Sequence, residues 1–122
     1  MPTTIIVLLK RHPEITNEEF INGCNAGVPH FQSMGIFKQG IVKRFNKFHV
    51  DPEQAKQLST LKPGFAVSSF DAMVEVEVNS LEEFITDSEH AEYLEKVAGM
   101  QQKLIDLSSL QIMIGDYDVK FP

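Results

Sequence analysis

The sequence predicts an α+β fold in which a four-stranded antiparallel sheet carries helices on one face. Three observations point to it. Four strand-like stretches, Thr4 to Leu9, Ile41 to Val50, Phe70 to Val78 and Leu110 to Val119, alternate with helix-forming stretches in the order β-α-β-(α)-β-α-β. The helix-forming stretches open on recognisable start signals. At 122 residues, with 43% hydrophobic and 23% charged residues, residues 1–122 read as one domain with one core, neither disordered nor membrane-spanning.

Thr4 to Leu9 is apolar on both parities, the pattern of a strand covered on both faces. Thr16 with Glu19 makes a capping box, and Ile15 can staple to Phe20 across it. The first helix is predicted to run to about Ala26, burying Phe20 and Cys24, with Gly27 and Pro29 ending it. The second strand places Ile41, Phe45 and His49 on one parity and Val42, Arg44, Asn46, Phe48 and Val50 on the other. Asp51-Pro52 starts a short helix that ends near Leu61. In the third strand Ala72, Val74, Val76 and Val78 share one face, with Asp71, Met73, Glu75 and Glu77 on the other. Ser80 with Glu83 opens another short helix, and a longer one is predicted from near Asp87 or Ser88 to about Leu107. Two βαβ halves of this kind form the ferredoxin-like β-α-β-β-α-β arrangement.

Helices on one face leave the other face open, although the first strand is apolar on that side as well. A twin sheet is the simplest cover. Two sheets packed across a twofold axis make a dimeric α+β barrel, so the chain is predicted to be a homodimer, with the tail Asp116 to Pro122 able to cross to its partner.

Seventeen acidic and eleven basic residues give a formal charge of −6, which opposes nucleic-acid binding, and the basic residues Lys38, Lys43, Arg44 and Lys47 cluster only weakly. No apolar run is long enough to cross a bilayer. The single cysteine, Cys24, excludes an internal disulfide and suits a reducing compartment. With no secretory signal at the N-terminus, a cytoplasmic location is expected. No histidine pair has metal-ligand spacing, and there is no phosphate-binding glycine loop or nucleophile elbow. Neither a metal nor an organic cofactor is therefore expected.

Several stretches resemble the ethyl tert-butyl ether degradation (EthD) family, especially its fungal dehydratase and decarboxylase branch. They are Leu8-Leu9-Lys10-Arg11-His12-Pro13, Thr16-Asn17-Glu18-Glu19-Phe20, Gly40-Ile41-Val42-Lys43-Arg44-Phe45, Lys47-Phe48-His49, Asp51-Pro52-Glu53, Phe70-Asp71-Ala72, Leu81-Glu82-Glu83-Phe84 and Tyr93-Leu94-Glu95-Lys96-Val97. The resemblance implies a dimeric barrel that acts without metal or organic cofactor on a hydrophobic, often polyketide-derived molecule. Asp87-Ser88-Glu89-His90-Ala91 is also similar to the tract that carries a functional histidine in related barrel cyclases and monooxygenases. Three positions depart from the family pattern. Gly27 stands where a histidine usually precedes the proline, Met100-Gln101 replaces an Asp-Glu pair, and the tryptophan of the first helix is missing. Loss of those polar groups implies altered chemistry or none.

On a helix, His90 shares a stripe with Tyr93, Leu94, Val97, Met100, Gln101 and Leu104, so it points inward, either as an acid–base group or as a core histidine. His49 reads equally as a pocket group or as a solvated strand end. Asp71 and Glu75 share a strand face and would titrate near neutrality if that face lined a cavity; otherwise they face water or pair with lysine. His30 is the polar group nearest the family's missing histidine, and Cys24 reads as packing. The leading function is a cofactor-independent lyase acting on an aromatic or polyketide-type intermediate in natural-product biosynthesis: a dehydratase, decarboxylase or cyclase. His90 would be its acid or base and His49 or Asp71 its second proton carrier. Phe20, His30, Phe31, Phe45, Glu75, Tyr93, Met100 and Gln101 would shape the substrate site. The alternatives are a cofactor-free monooxygenase or a non-catalytic small-molecule-binding dimer.

Overall fold

The computed structural model describes residues 3–32, 40–88 and 99–121. Among these the chain forms β1 (Thr3–Arg11), α1 (Asn17–Gln32), β2 (Val42–His49), α2 (Pro52–Leu61), β3 (Ala72–Val78), α3 (Leu81–Ser88), α4 (Gly99–Leu104) and β4 (Ile105–Gly115). The strands pair antiparallel in the order β2-β3-β1-β4. This is the ferredoxin-like α+β sheet that the sequence predicts. β1, apolar on both parities, and β3, apolar on one face, take the two central places. Among the described residues no helix is long and apolar enough to cross a membrane.

Local chemistry sets the helix starts. The Thr16 N–H donates to Glu19 Oε1 at 3.0 Å while the Glu19 N–H donates to Thr16 Oγ1 at 3.1 Å. Ile15 and Phe20 pack in one core cluster across this box. Asp51 accepts the N–H groups of Glu53 and Gln54 at 3.0 and 3.3 Å, with Pro52 opening α2. Ser80 Oγ accepts the Glu83 N–H at 3.2 Å ahead of α3.

Helix α1 runs past its predicted end to Gln32, with Pro29 inside it. Pro29 lies close to the C-terminus, where a missing N–H and a crowded carbonyl disturb only the last turn. Gly27 does not act as a left-handed cap, because Gly40 is the only described residue with a positive φ. Another glycine matters for packing. A β-carbon on Gly23 would sit 2.4 Å from Leu104 Cδ2, so its absence lets α1 approach α4 closely.

Two strands also differ from the prediction. β4 begins at Ile105 and ends at Gly115, and α4 stops at Leu104 rather than near Leu107. The β1–β4 register slips between Leu8, opposite Gln111, and Lys10, opposite Asp106. Side chains serve the backbone around the slip: Ser109 Oγ accepts the Lys10 N–H at 3.3 Å and donates to the Asp106 carbonyl at 2.6 Å. In β2 the register shifts between Val42 and Arg44, so Val42 joins the buried side opposite Val78 instead of following the parity of Arg44.

The core lies between the sheet and the helices in two clusters. Ile5, Val42, Val76 and Val78 form one, against Leu81 and Phe84. Leu9, Phe20 and Ala72 form the other, against Ile15, Ile21, Cys24, Leu104 and Ile105.

Candidate functional site

Antiparallel pairing sets residues side by side in rows, and opposed residues share a face. On the helix side the rows are Phe45–Val76–Ile5–Ile114, Lys47–Val74–Val7–Ile112 and His49–Ala72–Leu9. Toward the β2 edge this otherwise apolar surface therefore carries a lysine and a histidine, beneath α1.

The His49 and Phe20 rings meet in a T, with centroids 5.8 Å apart and planes at 81°. Both imidazole nitrogens are buried and have no hydrogen-bond partner among the described residues. Burial, and after it the charge of Lys47, hold the imidazole below the ordinary histidine pKa. A neutral imidazole offers one donor and one acceptor, so this ring can take a proton from one partner and donate a hydrogen bond to another. Lys47 Nζ donates to the main-chain carbonyl of Cys24 at 2.8 Å and lies 5.9 Å from the Phe45 ring centre. Burial lowers the Lys47 pKa and raises that of the half-buried Cys24 thiol. Lys47 was not among the site residues read from the sequence.

The carboxylates lie elsewhere. Asp71 precedes β3, and its Oδ2 accepts the Arg11 N–H at 2.9 Å, which ties it to the end of β1. Glu75 belongs to the opposite, open face, in the row Asn46–Glu75–Ile6–Met113. It is buried there, accepting from Asn46 Nδ2 at 3.4 Å and from the Tyr117 hydroxyl of the C-terminal tail. That hydrogen bond raises the tyrosine pKa. Glu75 and His49 are thus on opposite faces of the sheet.

Phe20 is fully buried and Phe45 packs against the first cluster. Gln101 is half-buried on α4. His30 and Phe31 fall in the last turn of α1 and Met100 in α4, with their side chains outside the description. His90 and Tyr93 lie outside the described residues. Among the described residues no group of three or more His, Cys, Asp or Glu side chains is placed to hold a metal ion.

No protein-family model matches the chain, and no curated protein matches it in sequence. Solved structures do match its fold. An EthD family protein from Bacillus halodurans superposes with a TM-score of 0.59 at 15% identity, over 97% of this chain and 100% of that one. The cofactor-independent oxygenase SnoaB of Streptomyces nogalater gives 0.62 at 9% identity, over 99% and 97% of the two chains. The hydroxynitrile lyase of Passiflora edulis gives 0.58 at 10% identity, over 99% and 97%. Others are dimeric proteins of ferredoxin-like fold whose function is unknown. At these identities the likeness is one of fold.

Proposed function

We propose that this chain is a cofactor-independent lyase, a dehydratase, decarboxylase or cyclase, acting on a hydrophobic aromatic or polyketide-type molecule held between α1 and the sheet. His49 is the proton acceptor, and His90 is the second proton carrier. The observation that carries this reading is the His49 imidazole: buried, held neutral, and with both nitrogens unpartnered among the described residues beside Phe20. Buried polar atoms normally find partners, and those that do not are frequent at sites of chemistry. The shared fold of a lyase and a cofactor-independent oxygenase supports small-molecule work on this scaffold.

Deprotonation at carbon starts eliminations and aldol-type closures, and it can be watched alone. In deuterium oxide the protein should speed exchange of the α-hydrogens of aryl ketones such as α-tetralone, followed by loss of their proton signals in NMR spectra. SnoaB's fold supports a second reading, the same deprotonation followed by attack of molecular oxygen on the carbanion. Oxygen uptake in step with substrate loss would select it. Ketone binding with neither exchange nor oxygen uptake would overturn both and leave a binding protein.

The working form is proposed to be a homodimer joined sheet on sheet. Its open face carries the row Phe48–Met73–Leu8, and Phe48 and Met113 are 57% and 53% exposed there even with the tail over Glu75. Light scattering at micromolar concentration should give about twice the chain mass of 13.8 kDa. A monomer that persists at higher concentration would rule out the barrel.

A further inference from the structure

Lysine is rarely placed under a helix, because its ammonium prefers water. Lys47 nevertheless sits in a helix-facing row beside Val74, with Phe45 and His49 two residues before and after it on the same face, roughly 6.6 Å away along the strand. Among the described residues its nitrogen finds the Cys24 carbonyl and no carboxylate. A half-buried amine flanked by the Phe45 ring and by an imidazole that has no partner among the described residues has the surroundings in which lysines act as nucleophiles.

We propose that Lys47 forms an imine with the carbonyl carbon of an apolar aldehyde or ketone, and that His49 carries the proton which this condensation moves. The proposal rests on the small-molecule site described above and names its substrate class. The Nζ electron pair bonds to the carbonyl carbon, and the C=O π pair moves to oxygen. The proton released by nitrogen passes through the imidazole to that oxygen. A second proton, drawn from water and delivered through the same imidazole, lets the hydroxyl leave as water while the nitrogen pair completes the C=N bond as an iminium. No oxidant or reductant is needed. The burial that lowers the Lys47 pKa enlarges the fraction of amine with a free electron pair. An iminium at that carbon accepts the electrons released when a neighbouring bond breaks, so the fitting substrates are β-oxo acids and β-hydroxy ketones.

Naphthaldehyde with cyanoborohydride tests it, since the reagent reduces an imine to a stable secondary amine. The unmodified protein should gain one naphthylmethyl group, mapped to Lys47 by peptide mass spectrometry, before the exposed Lys62 and Lys120 react. Naphthol, which has no carbonyl, reports binding independently through its fluorescence. Lys47→Arg keeps the charge and the hydrogen bond but should lose the adduct while still binding naphthol. Naphthol binding with label spread over surface lysines, or an unchanged adduct in Lys47→Arg, would overturn the imine and leave the site standing. Failure to bind either compound would overturn both. Should the arginine variant fold poorly, mapping on the unmodified protein still decides.

Discussion

His49→Gln is expected to slow protein-promoted α-hydrogen exchange by about 10²–10⁴-fold, the usual contribution of a positioned acid or base, with the fold intact. Glutamine keeps a polar group in the space under α1 but cannot take a proton near neutral pH. His49→Leu should lose the same activity and gain stability. A buried donor and acceptor without partners cost about 1–3 kcal/mol, and an apolar side chain removes that cost. The gain should depend on pH. The pKa of His49 in the folded protein lies below its ordinary 6.5, so below that pH the unfolded chain binds the proton more readily. The contribution of His49 to stability is therefore complete above about pH 6.5 and is lost as pH falls through the folded value. The advantage of His49→Leu over the parent should widen in that window, read as the difference in melting temperature. Full exchange activity in His49→Gln together with a lower melting temperature in His49→Leu would make the ring a packed structural group.

How much of this was legible depends on the range of the interactions involved. The starts at Thr16, Asp51 and Ser80 are chemistry within three residues, and they stand as read. β1 is apolar on both parities because it is central in the sheet, and that too was legible. The end of α1 was not. A proline rule is local, whereas a proline in a final turn is tolerated when the helix is held by packing such as that of Phe20 and Gly23. The shifted register in β2 turns Val42 to the buried side, and beside the slip between β1 and β4 the expected helix end at Asp106 and Leu107 is strand. Such irregularities leave little trace in a period-two pattern. The partner of Asp71 is a backbone N–H sixty residues away, neither the cavity nor the lysine that its strand position suggests. Lys47 was legible in principle, since Phe45, Lys47 and His49 alternate on one face. Its residue type points the other way, since lysine ordinarily marks the solvent side.

Phe20→Ala should be the most damaging single truncation in the second core cluster. Phe20 is 0% exposed, packs with Leu9 and Ala72, and meets the His49 ring at nearly a right angle. Removing a buried phenylalanine costs about 3–5 kcal/mol, which is a large share of the roughly 5–15 kcal/mol that holds a domain folded. Urea denaturation should show the loss as a lower midpoint, while Phe20→Leu, which keeps much of the volume, should lose less. The site should respond as well. Without the phenyl ring, water reaches the imidazole, the desolvation that depresses its pKa weakens, and the NMR titration of His49 should move up toward 6.5 in the folded variant. In Phe20→Leu the shift should be in the same direction and smaller. A loss below about 1 kcal/mol with an unmoved His49 titration would show that Phe20 neither carries this end of the core nor shields the imidazole.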